Sequence, residues 1–549
     1  MSEEKMERFI ENYSGEKFDL VIIGGGITGA AVAYDATSRG LSVCLVEKED
    51  FGCATSAVTS KLIHGGFRYL ANFELSLVRE SLSERRTLEN IAPNFVYPLP
   101  CIFTAYNKKI TNKLNIIRAG MTIYDLLSFD KGRTWDKSKS MPSHKVIGPE
   151  EAVRLEPNIN PNGLKGGGLQ YDCTSLCPER LTLAFIKSAV NAGGRVANYA
   201  KVEQFLISET GRVQGVKVKD LIHDRAVELR GKLTINCGGP WADLILGLLE
   251  RGQTSKKLRR SEGIHIITRK LVNRHMVACI GKSGGHFFVI PWRGHTLIGT
   301  TDKEYIGNPD DYKVTRAAII ELLEEVNSGF GLDPLEYKDV LHAYGGLRPL
   351  VEDQTKGVYE SSRKYEIYDH SSDGLEGLIT VEGGKYTTSR NLAENTMKMV
   401  AAKLERDVGR CKTANQRLAG CEIEDIEGFV AKAKNDNADF DKKTVEWLAR
   451  HYGTELGRVL DLARSDKALA EALDADGEIA AQVVYAVRKE MAMTLKDVIL
   501  RRTGIGTLGC PDDKVIGKVA AIAASELGWD DARRAREISL AREALALPK

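Results

Sequence analysis

Three features of this 549-residue chain are spaced for chemistry. The first is a glycine turn, Gly24-Gly25-Gly26-Ile27-Thr28-Gly29. In such a turn the first glycine permits the bend, the second lets a pyrophosphate reach the backbone, and the third lets helix and strand pack closely. The amides of the helix that follows, Ile27 and Thr28 among them, then offer free N–H groups and partial positive charge to phosphates. The second is Glu47, 18 residues past Gly29, near the ~20 expected of an acid that accepts ribose hydroxyls; Lys48 beside it is expected on the same ligand. The third is His64, the one histidine in a candidate ligand loop, His64-Gly65-Gly66. An unperturbed pKa of about 6.5 suits it to acid–base work; packing against a ligand or donating a hydrogen bond to one is the equal alternative. The other nine histidines show no HxxxH or HExxH spacing, which argues against a metal site.

The elements that must hold these residues are legible nearby. Residues 18–23 read as a strand, 30–39 as a helix stopped by Gly40, and 41–46 as a buried parallel strand ending at Glu47. Further glycine clusters at 65–66, 166–168, 238–239, 345–346 and 383–384 imply one ligand-binding layer gathered from distant pieces of chain. Three of these features favour FAD, held non-covalently, over NAD. The polar loop 53–61, with Thr55, Ser56, Ser60 and Lys61, can serve a second phosphate and lead toward a flavin ring. Asn236-Cys237-Gly238-Gly239-Pro240-Trp241 returns to the same layer, placing Gly238 and Trp241 on the cofactor. The late turn Gly383-Gly384-Lys385-Tyr386-Thr387 leads into a helix whose amides suit the pyrimidine end of a flavin, where negative charge develops on reduction.

Composition narrows the remaining classes. Lys and Arg total 77 against 75 Asp and Glu, so a generic electrostatic hold on nucleic acid is not expected. No apolar run reaches the ~18 residues of a membrane span. The N-terminus is polar and is not a secretory signal, and the ten cysteines contain no CxxC pair, so they read as reduced cytosolic thiols. The expected fold class is α/β. A Rossmann-like FAD-binding domain (pieces about 17–100, 160–260 and 345–400) is interleaved with a mixed-sheet substrate or cap domain (about 100–160 and 260–345). Residues 17–414 form this oxidoreductase region, and 415–549 form an all-helical C-terminal domain with helices over 441–452 and 479–500. Residues 107–127 alternate Lys108, Lys109, Lys113 and Arg118 with apolar residues, a pattern fitting either an anionic membrane surface or an ordinary cap helix.

Several segments together are more specific than the glycine turn: Ser60-Lys61-Leu62-Ile63-His64-Gly65-Gly66-Phe67-Arg68-Tyr69-Leu70, Ile298-Gly299-Thr300-Thr301-Asp302, Gly346-Leu347-Arg348-Pro349-Leu350, Gly383-Gly384-Lys385-Tyr386-Thr387-Thr388 and Leu500-Arg501-Arg502-Thr503. On these the chain resembles the FAD-dependent, quinone-linked glycerol-3-phosphate dehydrogenases of the D-amino-acid-oxidase-like superfamily, over residues 17 to 510. It departs from the usual pattern at Cys177-Pro178-Glu179 and at Cys237-Gly238. The resemblance implies oxidation of sn-glycerol 3-phosphate to dihydroxyacetone phosphate by hydride transfer to flavin N5, with electrons passing to a membrane quinone. It implies that Arg348 and Lys385 face the reacting carbon and that Arg68, Tyr69 and Arg363 fix the substrate; a dianionic phosphate needs such cations. Together with His64, Arg348 and Lys385 form the expected catalytic set. The implied location is cytoplasmic, peripheral on the inner face of the cell membrane, with a homodimer left open. Three rivals stay open: an oxygen-reducing glycerol-3-phosphate oxidase, an amine or amino-acid oxidase of the same fold, and a non-enzymatic flavin-binding redox partner.

Overall fold

The computed structural model describes residues 6–106, 112–249, 258–331, 333–351 and 364–549. The first sheet has a parallel centre. Strand Lys17–Ile23 lies between Val43–Val46 and Arg225–Asn236, and Arg195–Ala197 and Leu378–Gly383 extend it in parallel. All but the first residue of Lys17–Ile23 are buried, as in a strand covered on both faces. Helix Ile27–Ser38 follows at once, and the chain leaves it through Gly40 at φ +79°. This helix packs between helices Pro178–Asn191 and Ser389–Leu404, which is why Gly29, Ala30, Ala31 and Ala33 along it are small.

The second sheet is mixed. Strand Leu258–Thr268 pairs antiparallel with Val340–Val351, His295–Gly299 and Lys303–Tyr305. The sheet continues through His286–Trp292 and Met276–Ile280 to Val96–Ala105, Gly166–Ser175 and Leu62–Ile63. Helix Arg316–Gly329 seals one face with Ile319, Leu322, Leu323 and Val326 against Ile264, Ile266 and Val289.

Here the structure departs from the sequence expectation. Gly166–Ser175 and Val340–Val351 belong to this second sheet rather than to the cofactor-binding sheet. Their glycines make room for neighbours. A Cβ on Gly168 would sit 2.3 Å from Met121 Cε, and one on Gly346 would sit 2.4 Å from Val58 Cγ2. The residue at 168 must be small because helix Leu114–Leu127 packs on this strand with Ile117, Met121 and Tyr124 inward. Ile117 and Met121, apolar residues of the pattern that fitted either a membrane surface or a cap helix, are therefore core. The outward face carries Lys113, Ile116, Arg118, Ile123 and Leu126; Lys108 and Lys109 lie outside the described residues.

After residue 415 the elements are helices: Ile426–Asp436, Lys442–Tyr452, Leu456–Ser465, Ala481–Glu490, Asp513–Leu527 and Asp531–Leu545. Asp425, Asp441, Asp512 and Asp530 cap four of them by accepting from backbone N–H groups of the first turn. The single helix expected over 479–500 is broken. It stops at Met491, which adopts φ +57°, and restarts at the Thr494 cap before a π turn over Val498–Arg502. That break aims Arg501 and Arg502 into the first sheet's half. Both guanidiniums reach the fully buried Asp50: Arg501 Nε at 2.6 Å, Arg502 Nη1 at 2.8 Å and Nη2 at 2.7 Å. Arg180 forms a second such joint, with both its terminal nitrogens on Glu490 at 2.9 and 3.1 Å. All ten cysteines are free thiols, most of them buried.

Candidate active site

The two sheets enclose a cavity of about 1200 Å³. That exceeds the roughly 300–1,000 Å³ of a drug-sized ligand's pocket, leaving room for a dinucleotide and a small substrate together.

At one end lies the glycine turn. Gly24 has φ +104°, and a Cβ there would sit 2.5 Å from Cys237 O; on Gly29 it would sit 2.0 Å from Gly24 O. These two glycines are required by the protein's own packing, and Gly29 does not line the cavity. Gly26 differs. A Cβ there would meet only Ser56 Oγ, at 3.3 Å, and the position opens into the cavity. Its smallness fits the close approach of a ligand. Ser56 Oγ accepts the Ile27 N–H at 2.9 Å, so that amide already has a partner, and the hydroxyl retains its own proton to donate. Thr28 also lines the cavity. Glu47 ends the second parallel strand and accepts from Gly25 N at 2.7 Å and Glu49 N at 2.9 Å. Burial raises its pKa, against those two amides, and each oxygen keeps a further lone pair for a ribose hydroxyl.

The loop after Glu47 is tied to the second sheet. Thr55 Oγ1 donates to Leu347 O at 2.6 Å, and Ser60 Oγ lies 2.8 Å from His265 Nε2. Lys61 is a correction. It adopts φ +56°, and its buried ammonium turns out of the cavity to Glu179 at 3.1 Å and Ala57 O at 3.2 Å.

Gly65 is likewise structural. A Cβ there would sit 2.3 Å from Tyr124 Oη, and its N–H donates to Asp172 at 3.1 Å. Asp172 also accepts from Arg85 at 2.8 Å and from Tyr124 at 2.8 and 3.0 Å. This buried carboxylate fixes the turn that presents His64 and Gly66.

Around that turn the structure gathers His64, Arg68, Tyr69 and Lys385. Gly383 and Gly384, at φ +72° and +86°, swing the chain from strand Leu378–Gly383 to Lys385 and the turn Tyr386–Thr388. Lys385 Nζ donates to His64 O and Ser81 Oγ, both at 3.0 Å, and sits 5.3 Å from the Tyr69 ring centre. Thr387 Oγ1 accepts from His64 N at 3.3 Å. Arg68 stacks 4.9 Å over Tyr69 and donates to its hydroxyl at 3.3 Å. Burial, opposed by Asp172 and reinforced by Arg68, brings the Lys385 pKa down to about 7. Burial first, then Lys385, Arg68 and Arg85, push His64 well below its usual range.

A second group lines the same cavity. Arg348 extends from Val340–Val351, but its fork is engaged: Nη1 donates to Ser261 Oγ and Glu262 O at 3.1 Å each, and Nη2 to Thr300 Oγ1 at 2.7 Å and Thr301 O at 3.1 Å. Arg348 therefore presents positive charge more than a bidentate fork. Asp302 accepts from Ser261 Oγ and lies 3.5 Å from Arg348 Nη1. Beside them is His265, stacked on Tyr344 at 5.1 Å. Burial, then Arg348 and Lys61, hold its pKa well down. Sequence reasoning missed His265, Asp302 as a partner of Arg348, and Asp172. His265 carried one available signal, a histidine inside an otherwise apolar run, 264–267. Gly238 and Trp241 line the cavity near Glu47, with Lys48. Arg363 lies outside the described residues.

The doubly covered parallel sheet, its glycine turn and this cavity define a dinucleotide-dependent oxidoreductase. A family model described as FAD dependent oxidoreductase matches residues 19–390, and one described as C-terminal domain of alpha-glycerophosphate oxidase matches 411–534. The chain is 36% identical over 502 residues to a glycerol-3-phosphate dehydrogenase of Synechocystis sp., covering 89% of each. It is 30% identical to an alpha-glycerophosphate oxidase of Streptococcus pneumoniae, covering 91% of each. Among solved structures, the glycerol-3-phosphate dehydrogenase of Bacillus halodurans complexed with FAD superposes with a TM-score of 0.79 at 28% identity, covering 98% of this chain and 97% of that one. The chain belongs to the family of FAD-dependent glycerol-3-phosphate dehydrogenases, and its cofactor is FAD. The open face of Gly26 and the spare lone pairs of Glu47 suit the dinucleotide half of FAD; the late turn at Gly383, Gly384 and Lys385 suits its ring.

Proposed function

We propose that this enzyme oxidises sn-glycerol 3-phosphate to dihydroxyacetone phosphate and delivers the electrons to a membrane quinone. The observation that carries the reading is that one cavity holds both the dinucleotide turn and a cationic nest of Arg68, Lys385 and Arg348. The names of the relatives support it. An amino-acid oxidase needs a single carboxylate-binding cation and an apolar site, which this nest does not resemble.

Bound FAD supplies the hydride acceptor. Arg68, backed by Tyr69, holds the substrate phosphate. Arg348, fixed by Thr300 and Ser261, adds a positive field where oxygen charge develops. Lys385 Nζ, whose pKa burial brings down to about 7, takes the hydroxyl proton in its neutral form. His64 and His265 stay neutral and serve as hydrogen-bonding groups, because their proton affinities are too low to retain a proton at neutral pH.

The acceptor reading rests on the cavity mouth. Phe73, Ile116, Ala119 and Ile123 line it from outside, and Phe73, Leu126 and Phe129 are 85%, 70% and 69% exposed. Lys113 and Arg118 flank them. An apolar rim with basic neighbours suits an anionic bilayer surface. No helix among the described residues is long and apolar enough to cross a membrane, so contact in this reading is peripheral. Anionic vesicles carrying a quinone are expected to bind the enzyme and accept electrons with little peroxide formed in air. The Leu126→Ser/Phe129→Ser variant should lose most of both vesicle binding and quinone reduction while keeping activity with a soluble dye. Equal partitioning of variant and parent would remove the membrane reading. Stoichiometric peroxide without quinone would favour the oxidase alternative.

A further inference from the structure

After strand Lys303–Tyr305 the chain leaves the second sheet and crosses to the Glu47 end of the cavity. There it makes a short turn, Pro309–Asp311, built by its own residues: Asn308 Oδ1 accepts from Asp310 N at 3.0 Å, and Tyr305 Oη donates to Asn308 O at 3.0 Å. The turn aims Asp310 at the first sheet's half. Lys48 Nζ lies 2.5 Å from Asp310 Oδ1, and Trp241 Nε1 donates to the same oxygen at 2.8 Å. The Lys48 ammonium also sits 4.4 Å over the Trp241 ring. Lys48, Trp241 and Asp310 all line the cavity.

Three segments distant in sequence thus meet beside Glu47, the acid suited to the ribose. The contact lies at the opposite end of its loop from Thr300 and Thr301, which grip Arg348. We propose that Asp310 is a cofactor-retention residue: through Lys48 and Trp241 it pins this loop across the adenosine end of the FAD cavity and slows release of the dinucleotide. This holds whatever the substrate is. An exposed ion pair alone contributes little. Here one carboxylate oxygen serves an ammonium and an indole N–H, and the ammonium stacks on that indole, so each contact orients the others.

The rival reading is that Lys48 and Trp241 touch the cofactor directly. The two readings differ in additivity. Release of FAD from diluted holoenzyme is followed by the rise in free-flavin fluorescence. Asp310→Asn is expected to speed release about tenfold, the loss of one charge-assisted contact. Trp241→Phe, which removes only the N–H, should speed it less. Because removing either partner breaks the same contact, Lys48→Met/Asp310→Asn should release no faster than the faster single variant. Unchanged release from Asp310→Asn, or a double variant approaching the product of the single effects, would overturn the proposal. Asp310 is 56% exposed by side chain, so these variants are expected to fold.

Discussion

Replacing Lys385 by methionine is expected to lower kcat/KM by roughly 10²- to 10³-fold, the range of a lost acid–base group in a closed site. The ammonium is crowded between Arg68 and a desolvating wall, with Asp172 as its nearest relief, and its pKa falls to about 7. A proton acceptor must be neutral to act. For the parent enzyme kcat/KM should therefore rise with pH through about 7 and then level off. Lys385→Arg keeps the charge but cannot release its proton, so it should stay as impaired as the methionine variant at every pH. A parent profile already flat from pH 5 to 8 would contradict this assignment. The role would then pass to His64 or His265, whose neutral forms persist to lower pH.

The second large effect is on stability. Asp50 lies three residues past Glu47 and carries the joint to the C-terminal helices. Removing one partner of a buried ion pair costs about 3–5 kcal/mol when the charge left behind is stranded; Arg501 still meets Asp50 once Arg502 is gone, so the expected loss is at the lower end, about 3 kcal/mol. Arg502→Met is expected to lose that much in denaturant unfolding and to release FAD more readily, since the same loop holds Glu47 and Gly52, whose N–H donates to Gly25 O at 3.0 Å. Burial alone would raise the Asp50 pKa, but Arg502 and Arg501 outweigh it and hold it down at about 2. A folded pKa below the unfolded one stabilises the protein above the unfolded value of about 3.8. That contribution is lost as pH falls from about 4 through about 2. A loss under about 1 kcal/mol in Arg502→Met, the size of a surface pair, would mean that the joint does not depend on this ion pair.

What the chain revealed in advance follows a physical line. Gly24, Gly26, Gly29 and Glu47 were legible because a strand, turn and helix impose their needs within a few residues, and the spacing records them. Lys385 was legible for the same reason, since two glycines at positive φ must precede it. Lys61 misled because its left-handed backbone turns its side chain out of the cavity, and the counterion that holds it there, Glu179, is 118 residues distant. The cluster at 166–168 misled because a glycine that admits a neighbouring side chain looks identical in sequence to one that admits a ligand; Gly345 and Gly346 do line the cavity, but from the second sheet. His265, Asp172 and Asp310 left no local motif. His265 reaches the cavity through strand register opposite Tyr344 and Gly299, Asp172 through a strand paired with Leu99, and Asp310 through a loop that closes on Lys48. Sheet pairing and loop closure of this kind are set by the whole fold.

The central claim is that the cations around the flavin site select a phosphorylated alcohol. Anaerobic titration of the purified yellow protein tests it most directly. Glycerol 3-phosphate is expected to bleach the flavin absorbance completely, with one dihydroxyacetone phosphate formed per FAD, while glycerol at the same concentration leaves the spectrum unchanged. Equal bleaching by glycerol, or bleaching by an amino acid but not by glycerol 3-phosphate, would contradict it.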